Sequence, residues 1–278
     1  MRKFAVLVRI ILRFLKLDSF RISGYKQVLE VCSYFVPVTT NHELIRIGNS
    51  GPGGYLVPND LQGISAVFSP GCAKQWTFEK DLYEKFGIIP FLADRLEDKP
   101  TDYPDNFSYM PTWIGLSGVE GFHSLEEWMN LALRVTDPQS NFRDNLMLQM
   151  DIEGGEYHAL LAAPEQLLKR FRIIVLELHD TESMLNPRIM ELVFIPLFRK
   201  LSTYFEVVHS HPNNCCGNWK YKDIEFPRVI EVTLIRKDRI THRSGFAKLP
   251  HPLDLPCVGG KQDLSFNWQP SKMSLHEN

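Results

Sequence analysis

The chain has 278 residues, 44% hydrophobic and 23% charged, which is the composition of an ordinary globular protein. Its length suits one large α/β domain with decorations and provides a full hydrophobic core. The 31 basic and 33 acidic residues give a net charge of −2, so no overall positive field favours a nucleic acid partner.

The five cysteines include no C-x-x-C spacing, which disfavours a zinc ribbon or a disulfide framework. Reduced thiols in a cytoplasmic protein are therefore the simplest interpretation. The adjacent residues Cys215 and Cys216 leave a redox or metal-binding role open.

Residues 1–20 are the first predicted element, a basic amphipathic helix. Its basic side chains share one helical face: Arg2, Arg9, Arg13 and Lys16. The uninterrupted apolar run 4–8 is too short to span a membrane, and the charges interrupt a signal-peptide core. The segment predicts peripheral contact with an anionic membrane surface; a helix packed on the domain, or a frayed leader, is the alternative.

The first half of the domain alternates between apolar and polar stretches. The predicted elements are a helix over 25–35 ended by Pro37, a glycine-rich loop over 46–55, a strand within 61–69, a helix over 76–86, a strand over 88–93, a surface loop over 97–106 and a weaker strand over 109–116.

The second half continues this alternation and ends in two successive strands. The predicted elements are a helix over 124–135 with Ser124 as its N-cap, a strand over 146–150, a helix over 156–171 interrupted near Pro164, a strand over 172–178, a helix over 187–201, an antiparallel pair near 205–209 and 229–235, and a polar tail over 249–278 that lies on the domain. The alternation predicts a parallel sheet with helices on both faces, which binds ligands beyond the carboxyl ends of its strands.

Four residues at the first two strand ends are candidates for cofactor binding. Ser69 and Gly71 end the first strand, where a glycine permits close approach of a ligand. Asp94 ends the second strand, about 20 residues later, where an acid accepts hydrogen bonds from ribose hydroxyls. Glu79 lies in the first turn of the intervening helix and either reaches the cofactor or only favours the helix N-terminus. An ordinary turn and a capping acid remain the alternatives, and no G-x-G-x-x-G motif is present.

The ends of the fourth and fifth predicted strands carry candidates for catalysis. Asp151 and Glu153 directly follow an apolar strand, and buried acids need partners. Glu153 is a candidate general base, and His179 has the side chain best suited to proton transfer near neutral pH. A capping acid cluster and a structural histidine are the alternatives.

His209, His211 and Asn213 follow the sixth strand. Histidines two apart on a strand face the same side and can bind an acceptor. Together with Asp151 and Glu153 they can also ligate a divalent ion, although no metal is predicted.

Residues 148–156, LQMDIEGGE, resemble the hydrophobic-D-[IV]-E-G-[AG]-E signature of the FkbM-type methyltransferases. Segments around Arg46, Trp76, Ile173, His209 and Glu231 are also similar to that family, so the resemblance covers roughly 41–238. It implies a Rossmann-like class I fold: a mostly parallel seven-stranded sheet, helices on both faces and an antiparallel C-terminal hairpin. The predicted division of the chain is a helical extension over 1–40, a methyltransferase domain over 41–240 and a tail over 241–278, and the resemblance concerns the domain alone.

The resemblance also implies methyl transfer from S-adenosylmethionine, usually to a hydroxyl of a sugar, a glycan or another small molecule. By position, Gly71, Glu79 and Asp94 match the family's cofactor-binding places, and Asp151 and Glu153 match its signature. Asp151 would orient the methionine portion or the acceptor. A catalytically inactive member that binds a nucleotide-like ligand or a partner is the alternative. The missing glycine motif and the antiparallel ending disfavour a nicotinamide dehydrogenase.

Overall fold

A computed structural model describes residues 22–96, 98–115, 117–136 and 144–264 of the chain. The amphipathic helix predicted for residues 1–20 and the last part of the predicted tail, 265–278, lie outside the described residues. Among the helices within the described ranges, none combines the length and the apolar character that crossing a membrane requires.

Two kinds of element make up the described chain. The strands are β1 Val38–Thr40, β2 Leu44–Gly48, β3 Gly54–Pro58, β4 Ala66–Pro70, β5 Ile89–Ala93, β6 Ser108–Met110, β7 Trp113–Ile114, β8 Phe122–His123, β9 Leu146–Met150, β10 Phe171–Leu178, β11 Phe205–Pro212, β12 Asn218–Tyr221, β13 Ile224–Pro227, β14 Ile230–Arg236 and β15 Arg243–Phe246. The α-helices are α1 Tyr25–Ser33, α2 Thr77–Phe86, α3 Leu125–Thr136, α4 Glu156–Ala162, α5 Glu165–Leu168, α6 Pro187–Ile189 and α7 Ile195–Tyr204, with a π-helical turn over Met190–Phe194.

Seven strands form one sheet in the order β11-β14-β10-β9-β4-β5-β6. Strands β6, β5, β4, β9 and β10 pair in parallel, whereas β14 is antiparallel to both β10 and β11. The predicted mostly parallel sheet and its closing antiparallel pair are therefore confirmed. This topology brings the carboxyl ends of β4, β5, β9, β10 and β11 to one edge of the sheet, together with the start of β14.

The sheet separates two apolar cores because its central strands are buried on both faces. Along β10, Ile174 and Leu176 face the larger core, and Ile173 and Val175 face the smaller one, as the two-residue period of a strand requires. Helices α1, α3, α4 and α7 pack in the larger core, and α2 packs with the β2–β3 hairpin in the smaller.

The glycine-rich loop predicted over 46–55 is confirmed only over 49–53, because residues 46–48 and 54–55 belong to the paired strands of the β2–β3 hairpin. Gly54 pairs with Gly48 at the hairpin end, and a Cβ atom on Gly54 would lie 1.9 Å from the peptide oxygen of Asn49. The glycines therefore serve a tight turn between regular strands. Residues 109–116 hold two short pieces, β6 and β7, instead of one strand.

Other predicted elements agree with the structure to within a few residues. Ser124 caps α3 as expected: the amide of Glu127 donates to its hydroxyl, and its own amide donates to the Glu127 carboxylate. Cys215 and Cys216 are joined by a disulfide, so the expectation of reduced thiols is wrong for this pair. A C-x-x-C spacing is typical of metal sites and disulfide frameworks, whereas this disulfide joins neighbouring residues.

Candidate active site

The turn after β4 lies against the end of β9. Gly71 has a φ of +83°, and a Cβ atom there would lie 1.5 Å from the peptide oxygen of Asp151. The amide of Gly71 donates to Ala93 at 2.8 Å, and the amide of Asp151 donates to Pro70 at 3.3 Å. Backbone hydrogen bonds thereby hold the ends of β4, β5 and β9 together.

Two cavities open on either side of this turn. The larger has a volume of about 550 Å³, within the range of small-molecule sites, and Asp94, Glu153 and the aromatic side chains of Trp113 and Phe122 border it. The smaller, of about 170 Å³, is bordered by Tyr55, Gln75, Thr77 and Glu79, among others. Gly71, Ala73 and Asp151 line both cavities, so an elongated ligand can pass over the glycine turn.

Asp94 lies at the end of β5 and holds the rim of the larger cavity. Its carboxylate accepts hydrogen bonds from the amides of Ala73 at 2.9 Å and Leu96 at 3.0 Å. The capping role expected as an alternative is therefore present, and Asp94 also borders the larger cavity.

His179 follows β10 and lies among four carboxylates. Its Nδ1 atom is 3.2 Å from Glu156, and its Nε2 atom is 3.5 Å from Glu153, 3.7 Å from Asp151 and 3.9 Å from Glu177. The Glu156 carboxylate is fully buried and also accepts from the amides of Ile152 and Gly154. One imidazole thus balances a cluster of acids at the ends of β9 and β10.

This crowding shifts the proton affinities of the cluster. Burial raises the pKa of Asp151 to about 7 against the opposing charge of His179. Burial, followed by the charges of Asp151 and Glu231, raises the pKa of Glu177 to about 8. Burial alone would lower the pKa of His179, but the hydrogen bond and charge of Glu156 outweigh it and raise that pKa to about 9. At neutral pH His179 is therefore a cation, and Asp151 is the group poised to exchange a proton.

Glu153 occupies a backbone conformation that non-glycine residues rarely adopt. Its φ is +55°, and Asp180, just after His179, has a φ of +49°. Such residues persist where the surrounding structure fixes them, commonly at functional sites. The Glu153 side chain is 85% exposed, so it lies at the mouth of the larger cavity while Asp151 lies deeper.

Ser69 and Glu79 lie beneath the smaller cavity in a buried polar chain. The Ser69 side chain is fully buried and borders neither cavity. Its hydroxyl lies within hydrogen-bond distance of carboxyl and amide oxygens of Glu79 and Gln149, but it has a single proton to donate. A protonated Glu79 resolves the conflict by donating to Ser69. Burial likewise raises the pKa of Glu79 to about 7.

Glu79→Gln is expected to stabilise the protein at about pH 8 by roughly 3 kcal/mol, since the raised pKa costs the wild type that much once the acid ionises. The unfolded chain loses this proton near pH 4.5 and the folded one near pH 7, so wild-type stability falls as pH rises between the two. Urea unfolding across this interval measures the change. Glu84→Gln, exposed on the same helix, is the control, and an equal gain there would contradict the assignment.

His209 and His211 lie within β11 instead of following it, and they face the C-terminal segment. His209 and His211 lie on one side of β11 as predicted, with ring centroids 6.4 Å apart. His209 pairs with Asp254 at 2.8 Å, and His211 lies 3.4 Å from Glu231 and 3.2 Å from Asp263. Neither borders the two cavities.

Asn213 donates to Glu177 at 2.7 Å and thereby connects this region to the acid cluster. The sequence reasoning did not select Glu177 or Glu231, which are register partners on β10 and β14. The available signal was an acid within each otherwise apolar strand.

Three donors of the cluster lie close enough to share a cation. Donor atoms of Asp151, Glu177 and His179 lie within 4.8 Å of one another. The set considered from sequence combined Asp151 and Glu153 with His209 and His211, whereas the structure brings Glu177 and His179 to Asp151. Oxygen and imidazole donors suit a divalent ion. In the absence of an ion, protonated His179 supplies the positive charge beside these acids.

No family model matches this sequence, and neither a curated protein nor a solved structure matches it.

Proposed function

We propose that the chain is an S-adenosylmethionine-dependent methyltransferase that acts on a hydroxyl of a sugar, glycan or other small molecule. The observation that supports this most strongly is the position of Asp151. It borders both cavities beside the glycine turn, in the segment that resembles the methyltransferase signature. The antiparallel β11–β14 ending is also the usual ending of the class I methyltransferase sheet.

The cavities fit the two halves of the methyl donor. Trp113 and Phe122 stack with ring centroids 5.9 Å apart and provide an apolar wall for a base, with Asp94 nearby for ribose hydroxyls. Gln75 and Thr77 provide polar groups in the smaller cavity for an amino-acid portion. S-Adenosylmethionine supplies an activated methyl group on a sulfonium, so the protein mainly aligns the acceptor oxygen.

The remaining chemistry falls to the acids after β9. Asp151 would accept the proton of the acceptor hydroxyl as the carbon–oxygen bond forms and the methyl–sulfur bond breaks to leave S-adenosylhomocysteine, because the pKa of Asp151 lies near neutrality. Sequence alone favoured Glu153 for this role; its exposure instead suits contact with the acceptor at the mouth of the cleft. Protonated His179 holds the acids together and stabilises the negative charge on Asp151.

Calorimetric titration with S-adenosylmethionine and S-adenosylhomocysteine tests the proposal. We expect both to bind at one site per chain. Well-folded protein that binds neither would exclude the methyltransferase, and binding without methylation of any member of a hydroxyl panel would favour the inactive ligand-binding alternative.

Asp94→Asn is expected to weaken S-adenosylhomocysteine binding about tenfold, because one charged acceptor for the ribose becomes neutral. A double-mutant cycle with the 2′-deoxy and 3′-deoxy analogues separates direct contact from loop rearrangement. If Asp94 contacts the ribose, one analogue loses less affinity in the variant than in the wild type. Asp98→Ala, exposed nearby and outside the cavity lining, should leave the affinity unchanged.

A further inference from the structure

A buried cluster of metal-type donors lies outside both cavities. His211 ends β11, Glu231 begins β14 and Cys257 belongs to the C-terminal segment. Their exposures are 3%, 7% and 5%, so all three are removed from solvent. Nitrogen, oxygen and sulfur donors from three separate segments therefore converge within 4.8 Å of one another.

We propose that His211, Glu231 and Cys257 bind one zinc ion. The Cys257 sulfur lies 3.1 Å from Glu231 Oε1 and 3.9 Å from His211 Nδ1, and His211 Nδ1 lies 3.4 Å from Glu231 Oε2. Ligands around a tetrahedral zinc ion are separated by about 3.3–3.6 Å, given the usual zinc–ligand bond lengths. The three contacts lie within about half an ångström of these separations. Cys257 and His211 approach different oxygens of Glu231, so an ion would select one of them, and a water molecule would complete a tetrahedral site.

The donor chemistry selects zinc. A thiolate and an imidazole suit zinc, whereas magnesium and calcium take oxygen ligands. Binding replaces the proton that the Cys257 thiol donates to Glu231, and that proton is released to solvent.

The other nitrogen of His211 supports the same assignment. Its Nε2 atom lies 3.2 Å from the carboxylate of Asp263. Histidine ligands of metals usually donate their second ring N–H to such a carboxylate, which fixes the ring orientation.

The surrounding backbone holds the Cys257 segment in place. Asn214 accepts from the amide of Val258 at 2.7 Å and donates to the peptide oxygens of Val258 at 3.0 Å and Lys261 at 3.3 Å. The ion would join this segment to the ends of β11 and β14. Because Glu231 pairs with Glu177, it would also reduce the negative charge beside the acid cluster.

Metal content and cobalt spectroscopy test the proposal. We expect full-length protein, purified without chelator, to hold one zinc per chain, and the apo protein refilled with cobalt to show a sulfur-to-cobalt charge-transfer band. Cys257→Ser should abolish the band, and His211→Gln should weaken metal binding at least tenfold. Cys32→Ala, Cys72→Ala and the double variant Cys215→Ser/Cys216→Ser should each keep the band, which assigns the sulfur to Cys257.

Two results would overturn the zinc proposal. Wild-type protein that takes up no stoichiometric zinc at micromolar concentration would overturn the proposal, whatever the variants do. Zinc that is retained by Cys257→Ser and lost in Asp151→Asn would place the ion in the acid cluster instead, and would equally overturn it. As an independent readout, zinc should raise the melting temperature of the apo wild type but not that of Cys257→Ser.

Discussion

Gly71→Ala is expected to destabilise the protein by more than about 4 kcal/mol. The added methyl would overlap the peptide oxygen of Asp151, 1.5 Å away, at a φ of +83° that an L-residue rarely adopts. Relief requires the ends of β4 and β9 to separate. Since both cavities adjoin this turn, S-adenosylhomocysteine affinity should fall with stability.

Gly87→Ala is the matched control for this substitution. Gly87 also has a positive φ, +69°, but a Cβ atom there would meet nothing within 4 Å. Backbone strain alone should then cost about 1 kcal/mol. Urea unfolding measures the free energy of unfolding of both variants, provided that its dependence on urea concentration is unchanged. Equal losses of stability would show that the contact with Asp151 is not what requires glycine at position 71.

Asp151→Asn is expected to lower methyl transfer at least a hundredfold, the usual range for loss of a general base. Cofactor affinity should change only a few-fold, since the amide keeps the size of the carboxylate. Glu153→Gln, at the exposed mouth of the cleft, should cost less than tenfold. Transfer of labelled methyl from S-adenosylmethionine to a panel of glycans and small hydroxyl compounds measures both variants.

The pH profile adds a second criterion. Wild-type transfer should rise as Asp151 ionises around its pKa of about 7 and then level off while His179 remains protonated. If Glu153→Gln abolishes transfer and Asp151→Asn retains it, the base assignment returns to Glu153, which sequence alone favoured. The two substitutions thus decide between the carboxylates without a known acceptor structure.

The central sheet could be predicted from sequence because apolar runs specify it. Residues 146–150 form the strand that their composition indicates, and the helix over 76–86 starts one residue later than expected. The β2–β3 hairpin was missed because its strands meet at glycines, Gly48 and Gly54. Glycine has a low strand propensity, so the segment reads as an irregular loop. The short strands β12 and β13 were missed for a similar reason, as two-stranded pairs carry a weak periodic signal.

The site was predictable in position and less so in role. The rule that ligands bind beyond the carboxyl ends of strands selected Asp94, Asp151 and His179. The structure places all three at the same edge of the sheet, after β5, β9 and β10. Glu177 and the cluster of His211, Glu231 and Cys257 were not found. They depend on which residues lie opposite Glu231 on β10 and β11, and on where the segment around Cys257 lies. The protonation of His179 also depends on Glu156, whose burial no local pattern reveals.

The buried carboxylate of Glu156 has a consequence for the segment over 148–156. It accepts hydrogen bonds from the amides of Ile152 and Gly154 and from His179. His179 follows β10, the strand next to β9 in the sheet. The segment is contiguous in sequence, yet its charge is balanced from a different strand. Transplanting these nine residues onto another scaffold would carry the acids without their counterion, so the unit that can be grafted extends through β10 to His179.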